Sequence, residues 1–299
     1  MDRGACSTRS TIHAEQMGKS DKASLTRRLR VPRSKVRLAD YDTSATPGFS
    51  GIKSDGDGAL RALASTLADL QERLYANAKA GDSRSLLLVL QGMDTSGKVG
   101  TVRSAVGIFD PQGVQLKSFK APTPVERKHD FLWRIEKEVP AAGMVGIFDR
   151  SHYEDVLIAR VRKLAPAKEI ERRYRAINEF EARLAASGTV IVKCMLHISA
   201  AEQRKRLRAR PDDPTKHWKF NPGDIDERAL WSDYRRAYEL ALERCNTDAA
   251  PWLVVPSDKK WYRNWAVARV LLEALEALGL AWPKGTFEVD EQKQRLAAT

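Results

Sequence analysis

The stretch QGMDTSGKVG, residues 91–100, sets two glycines and a lysine at the spacing GxxxxGK: Gly92, Gly97 and Lys98. Glycines so spaced let backbone N–H groups curl around phosphate oxygens, and the lysine reaches the transferred phosphate. Such loops continue with Ser or Thr, whose hydroxyl holds Mg²⁺; here Val99 stands there. Asp94, inside the loop, can supply what Val99 lacks. An acid in a phosphate cradle is unfavourable unless a cation offsets it, and Mg²⁺ accepts carboxylate and phosphate oxygens together. A second carboxylate is expected at another strand end. The run MVGIFDRSHYED offers Asp149 where the apolar residues stop, and Arg150 next to it to neutralise phosphate charge. Each feature has a plainer reading: a glycine-rich turn with a solvated lysine, and an Arg150–Glu154 salt bridge.

Positioning these residues requires a βα alternation. Apolar runs over 85–91, 114–119, 143–149, 189–198 and 251–256 read as buried strands. Helical segments are expected at about 98–108, 124–138, 151–185, 224–246 and 261–279, and another precedes the first strand, with Leu63, Leu67, Leu70 and Leu74 at helical spacing. Continuous apolar strands between helices predict an α/β fold, a five-stranded parallel sheet with helices on both faces. Ligands of such sheets bind beyond the carboxyl ends of the strands. Residues 1–24 read as a patternless tail, 25–55 as an extended basic arm over the surface, 56–285 as one domain, and 286–299 as a C-terminal tail.

The chain has 299 residues and a formal charge of +12, from 51 basic and 39 acidic residues. A polyanionic partner follows as an expectation. The cluster QRKRLRARP (203–211) holds basic residues and no acid; a solvated helix face is its plainer reading. No apolar run is long enough for a transmembrane helix, and the first residues lack a signal peptide's apolar stretch, so a cytoplasmic protein without membrane association is expected. Cys6, Cys194 and Cys245 fit reduced thiols without metal spacing.

Taken in order, GMDTSGK, DPQGV, SFKAPT, HDFLWR, FDRSHYEDV, QRKRLRARPDDPTKHWKFNPGD and VPSDKKWYRNW, with KVRLADYD in the arm, resemble the second polyphosphate kinase family from about residue 35 to about 285. The resemblance implies a P-loop kinase-like core with a helical basic lid, at about 200–224. It implies Mg²⁺-dependent phosphoryl transfer between inorganic polyphosphate and nucleoside mono- or diphosphates, with Mn²⁺ as an alternative ion, and assembly into dimers or tetramers. By the same resemblance Asp94 and Asp149 match paired metal-binding aspartates, Lys98 the loop lysine, and Arg150 the arginine beside the second aspartate. Gly92, Gly97, Gly100 and Arg103 fall in the phosphate loop and its helix. Arg204, Arg208, Lys216 and Lys219 match cations that grip the phosphate chain. Lys120 and Arg134 are candidate contacts to the acceptor nucleotide. The departure is Val99, small or acidic in the family, which implies altered metal geometry or acceptor choice.

Phosphoryl transfer to a nucleotide phosphate needs no general base, since the attacking oxygen is already anionic. His129 and His152 are therefore expected to make local hydrogen bonds, and Phe131 and Trp133 to pack in the core rather than face a base. Beside a non-catalytic or regulatory P-loop protein, against which the near-complete motif set argues, two other readings stay open on sequence. One is an ATP-dependent nucleotide kinase on the same core. The other is a basic nucleic-acid-binding protein, disfavoured by the scarcity of aromatic residues in the cluster, Trp218 excepted.

Overall fold

The computed structural model describes residues 24–299. The expected N-terminal tail, Cys6 included, lies outside the described residues. In chain order the elements are α1 (Leu25–Leu29), α2 (Lys53–Lys79), β1 (Ser85–Gln91), α3 (Lys98–Thr101), β2 (Val114–Ser118), α4 (Trp133–Glu136), β3 (Val145–Asp149), α5 (Ile158–Val161) and α6 (Ala167–Ala186). They continue as β4 (Thr189–His197), α7 (Ala200–Arg208), α8 (Gly223–Ala229), α9 (Trp231–Arg244), β5 (Trp252–Pro256), α10 (Lys260–Ala277) and α11 (Val289–Ala297).

The strands form one five-stranded sheet in the order β2-β3-β1-β4-β5, parallel throughout. β1 lies at its centre, and all of SLLLVLQ is buried. Alternate residues serve opposite layers. Leu87 and Val89 pack with Phe148, Ile177, Phe180 and Trp252 on one face. Leu86, Leu88 and Leu90 pack with Leu67, Leu74, Tyr262 and Leu271 on the other. Two covered faces are why the strand reads as an unbroken apolar run rather than an alternating one.

Several expected elements change shape. The helix expected at 98–108 is α3 followed by a π-helical stretch, Val102–Val106. The one at 124–138 shrinks to a 3-10 turn, Glu126–Lys128, and α4. Pro122 and Pro124 precede that turn, and Asp130 Oδ1 accepts the Leu132 N–H at 3.1 Å in a local turn ahead of α4. The helix expected at 151–185 divides into a 3-10 turn, His152–Asp155, then α5 and α6, with Pro166 at the N-cap of α6. That at 224–246 breaks at Leu230 between α8 and α9.

The arm is not an extended strap on the surface. It contains α1 and a 3-10 turn, Leu38–Asp40, and α2 already begins at Lys53. Leu25, Leu29, Val31, Val36 and Leu38 are buried. The Val31 N–H donates to the Trp252 carbonyl at 2.9 Å, and Arg30 bridges Leu253, so the arm covers the outer edge of β5. At the other terminus, the expected tail carries a helix, α11, with no buried residue. No helix among the described residues is long and apolar enough to cross a membrane.

Candidate active site

The carboxyl ends of β1, β3 and β4 meet on one edge of the sheet. Leu90 pairs with Asp149 in the parallel register, and Gln91 with Met195. Asp149 thus ends β3 beside the point where the chain leaves β1. The Arg150 N–H closes this junction by donating to the Leu90 carbonyl at 3.1 Å.

The loop between β1 and α3 needs its glycines. Gly92 has φ +155°, and a Cβ there would sit 2.6 Å from Ser96 Oγ and 2.7 Å from the Leu196 carbonyl oxygen. Gly97 has φ +106°, and a Cβ would collide with the Arg263 guanidinium. Thr95, with φ +61°, occupies the left-handed region without that freedom. The loop is tied from behind: the Gly92 N–H donates to Tyr238 Oη at 3.1 Å. Burial, then the Glu154 charge, raises the Tyr238 hydroxyl far above its ordinary pKa, which keeps it neutral.

Lys98 is half-buried, and its Nζ donates to the Gly92 carbonyl at 2.9 Å. Burial and then the Arg150 charge pull its pKa below the ordinary 10.5, opposed by Asp149, Glu154 and Asp94. These groups therefore form one charged cluster around the lysine. Arg150 is exposed and holds φ +63°. The Arg150–Glu154 salt bridge that sequence allows is not formed; Glu154 Oε1 instead accepts from Gln91 Nε2 at 3.2 Å. The turn after Arg150 is pinned underneath. Tyr153 Oη donates to Glu181 Oε1 at 2.8 Å, His152 Nε2 lies 3.2 Å from the same oxygen, and Lys193 Nζ donates to Glu181 Oε2 at 2.6 Å.

Asp94 Oδ2 is shielded from solvent and accepts no hydrogen bond; its ion-pair partner is Arg210 Nη1, 3.4 Å away. Thr95 Oγ1 and Ser96 Oγ are likewise buried without partners. Among the described residues no three His, Cys, Asp or Glu side chains gather as a metal cage. Asp94, whose Oδ2 meets only the Arg210 ion pair, and Asp149 at the end of β3 nonetheless suit Mg²⁺, which takes one or two carboxylates and completes its octahedron with waters and substrate phosphates. Val99, 59% exposed, offers no ligand.

The basic segment presents two faces. Arg204 and Arg208 are exposed on α7, free to meet an incoming anion. Arg206 and Arg210 turn inward, and sequence reasoning missed both. Arg206 donates to the carbonyls of Thr95, Ser96, Ser257 and Asp258 at 2.9, 3.2, 2.6 and 2.9 Å, and Nε bonds Glu202 Oε1 at 2.8 Å. Arg210 bridges Asp94 and Asp224, the latter at 2.7 Å. The signal available was Leu207, the apolar residue that marks the inward face of α7. Lys216 pairs with Asp213, and Lys219 sits 4.7 Å from the centre of the exposed Trp218 ring. Gly100 packs against Arg263, Arg103 is exposed on the π-helical stretch, and Lys120 is exposed after β2.

Arg134, a candidate contact to the acceptor nucleotide, already has partners in the structure. It is only 7% exposed, donates to the Lys120 carbonyl at 2.7 Å and pairs with Asp155 at 3.4 Å, over the Phe119 ring. These partners tie it to the segment carrying Lys120. Phe131 is in the core, as expected. His129 stacks on Trp133, ring centres 3.9 Å apart, where a local hydrogen bond was expected; His152 makes its bond to Glu181.

Comparison with known proteins bears on the same residues. The model of the family described as Polyphosphate kinase 2 matches residues 52–280. An AMP/ADP-polyphosphate phosphotransferase of Meiothermus ruber is 46% identical over 253 residues, covering 85% of this chain and 93% of that protein. An ADP-polyphosphate phosphotransferase of Rhodopseudomonas palustris is 40% identical over 264 residues, covering 84% and 90%. The crystal structure of Polyphosphate Kinase 2 from Arthrobacter aurescens TC1 superposes with a TM-score of 0.90 at 56% identity, covering 92% of this chain and 97% of that one. With the family model matching the whole βα core and the loop, Asp149 and the basic segment all inside it, this chain belongs to the Polyphosphate kinase 2 family.

Proposed function

We propose that the protein transfers phosphoryl groups between inorganic polyphosphate and nucleoside mono- or diphosphates. The observation that carries this reading is the cluster at the sheet edge: a glycine loop, Lys98, Asp94, Asp149 and Arg150 within one electrostatic neighbourhood, faced by arginines of the basic segment. Family membership supports it, as do the substrates named for the relatives from Meiothermus ruber and Rhodopseudomonas palustris.

The chemistry is one of positioning and charge. Lys98 exchanges its Gly92 carbonyl for a phosphate oxygen flanking the transferred group. Arg150, exposed beside the loop, covers equatorial oxygens of that group. Asp94 and Asp149 would hold Mg²⁺, which when bound neutralises phosphate charge and polarises the transferred phosphoryl group. Mn²⁺ has the same hard-oxygen preference. The segment at about 200–224 acts as the lid, with Arg204 and Arg208 along the phosphate chain and Lys216 and Lys219 further out. Lys120 is an exposed cation suited to the acceptor phosphate. No side chain is needed as general base. We further propose a homo-oligomer, dimer or tetramer, on the resemblance alone; light scattering after size exclusion tests it.

The test of function is donor choice. The protein is mixed with Mg²⁺ and each of AMP, ADP, GMP and GDP, free of ATP, with polyphosphate as donor. The next higher phosphate is expected to form. Turnover with ATP as donor and none with polyphosphate would overturn the reading in favour of a nucleotide kinase.

A further inference from the structure

The phosphate loop is backed by a buried cation with no acid to balance it. Arg263, in the first turn of α10, is 3% exposed. Its Nη1 donates to the Ser96 carbonyl at 3.1 Å, and Nε and Nη2 to Asn264 Oδ1 at 3.1 and 2.7 Å. Both acceptors are neutral. Burial first, then the positive charge of Arg206, pulls its pKa down to about 10, and no carboxylate among the described residues opposes them. At neutral pH the guanidinium is still charged. A buried charge is normally paired, because an unpaired one carries a large desolvation cost.

The loop is shaped around this group. A Cβ at Gly97 would collide with Nη1, and one at Gly100 would lie 2.9 Å from Nη2. The Ser96 carbonyl is shared between Arg263 Nη1 and Arg206 Nη1. In a trans peptide the C=O and the following N–H point in opposite directions. Holding the Ser96 carbonyl on two guanidinia therefore turns the Gly97 N–H away from them, toward the open side of the loop.

We propose that Arg263 is a positioning residue of the phosphate loop, fixing the Ser96–Gly97 peptide and contributing a positive potential that only a bound phosphate neutralises. It does not touch the substrate; it acts through the peptide and through the field. The fold carries the cost of an unbalanced cation when the loop is empty, and the anion relieves that cost on binding. The same logic makes oriented donors and fixed charges effective where anionic charge gathers. This inference rests on the reading of residues 92–98 as the phosphate loop.

The experiment titrates the full chain with inorganic tripolyphosphate, without nucleotide, by calorimetry and by thermal shift. It compares the wild type with Arg263→Gln, Arg263→Lys and Lys98→Ala. Arg263→Gln is expected to weaken tripolyphosphate binding on the order of tenfold and to shrink the anion-induced rise in Tm. A merely structural arginine would lower the anion-free Tm and leave the affinity unchanged; that result overturns the proposal. Should Arg263→Gln not fold, Arg263→Lys decides: it keeps the charge but loses the planar fork, so a loss of about threefold is expected, and wild-type affinity overturns the proposal. Lys98→Ala separates the two readings. If it binds tripolyphosphate as the wild type does, the phosphate-loop reading itself fails. If it loses affinity while Arg263→Gln keeps it, only the present inference fails.

Discussion

At the scale of single residues, Lys98 is the side chain with most at stake. Burial and Arg150 depress its pKa below 10.5 in the free protein, while Asp149, Glu154 and Asp94 limit the depression. Deprotonation removes the positive charge that meets phosphate. As pH rises through the depressed pKa, kcat/KM is therefore expected to fall, whereas bound phosphate raises the pKa and moves the limb in kcat to higher pH. Lys98→Arg should abolish the alkaline limb in kcat/KM, and a limb unchanged in that variant would assign it to another group. Lys98→Ala should lose nearly all turnover with its fold intact by circular dichroism. The two aspartates make a different prediction. If one ion unites them, Asp94→Asn and Asp149→Asn each remove most activity or raise the Mg²⁺ requirement, and the double variant is little worse than either. Multiplicative losses in a Mg²⁺ titration would separate them. These residues were legible in the sequence because loop chemistry is local: glycine spacing and an acid ending an apolar run are short-range patterns. Arg263 was not, since it lies far along the chain and reaches the loop only through the packing of α10.

At the scale of elements, the basic segment shows what a one-dimensional reading omits. Arginines at 204, 206, 208 and 210 alternate along the chain. A helix turns 100° per residue, so within α7 204 and 208 share one side and 206 lies on another, while Arg210 follows in the turn after the helix. Periodicity groups 204 with 208, but only packing says which side of α7 faces inward. Gln203 and Leu207 are buried, and Arg206 and Arg210 go in beside them. The outward pair, Arg204 and Arg208, is then free to meet neighbouring phosphates of one chain. A long polyanion engages several such cations, and a short one few. Arg204→Ala/Arg208→Ala should therefore weaken use of long polyphosphate more than of short chains, and raised salt should bias rates the same way. Rates at fixed nucleotide and Mg²⁺ across several chain lengths check this; an equal proportional loss at every length would remove the channel reading. Helix boundaries were the least legible feature. The expected 151–185 helix divides where Pro166 interrupts it and where the turn after β3 is drawn down by Tyr153 and His152 into the protein.

At the scale of the whole molecule, a charged network lies within one of the sheet's two apolar layers. Lys193, at the middle of β4, is fully buried. Its Nζ donates to Glu181 Oε2 at 2.6 Å, Tyr153 Oη at 2.7 Å and the Cys245 carbonyl at 2.7 Å. The network thus joins β4, α6, the turn carrying Asp149 and Arg150, and the end of α9. Burial pushes the Glu181 carboxyl up, but Lys193 and His152 outweigh it and hold its pKa below the ordinary 4.5. For a depressed carboxylate the stabilisation is present in full above the unfolded value and is lost only as pH falls through the lower folded value. The pair should therefore stabilise the fold throughout the neutral range. Lys193→Met leaves Glu181 buried without its cation, and Glu181→Gln leaves Lys193 buried without its anion. Each is expected to cost about 3–5 kcal/mol in chemical denaturation, because removing one partner of a buried pair leaves an uncompensated charge. Lys193→Met/Glu181→Gln removes both charges together and should recover part of that loss. Since the network also holds the turn after β3, the single variants should lower kcat more than they raise KM for polyphosphate in whatever protein remains folded. Losses below about 1 kcal/mol in both single variants, the range of exposed ion pairs, would mean that water reaches the pair and that the turn is held by packing alone.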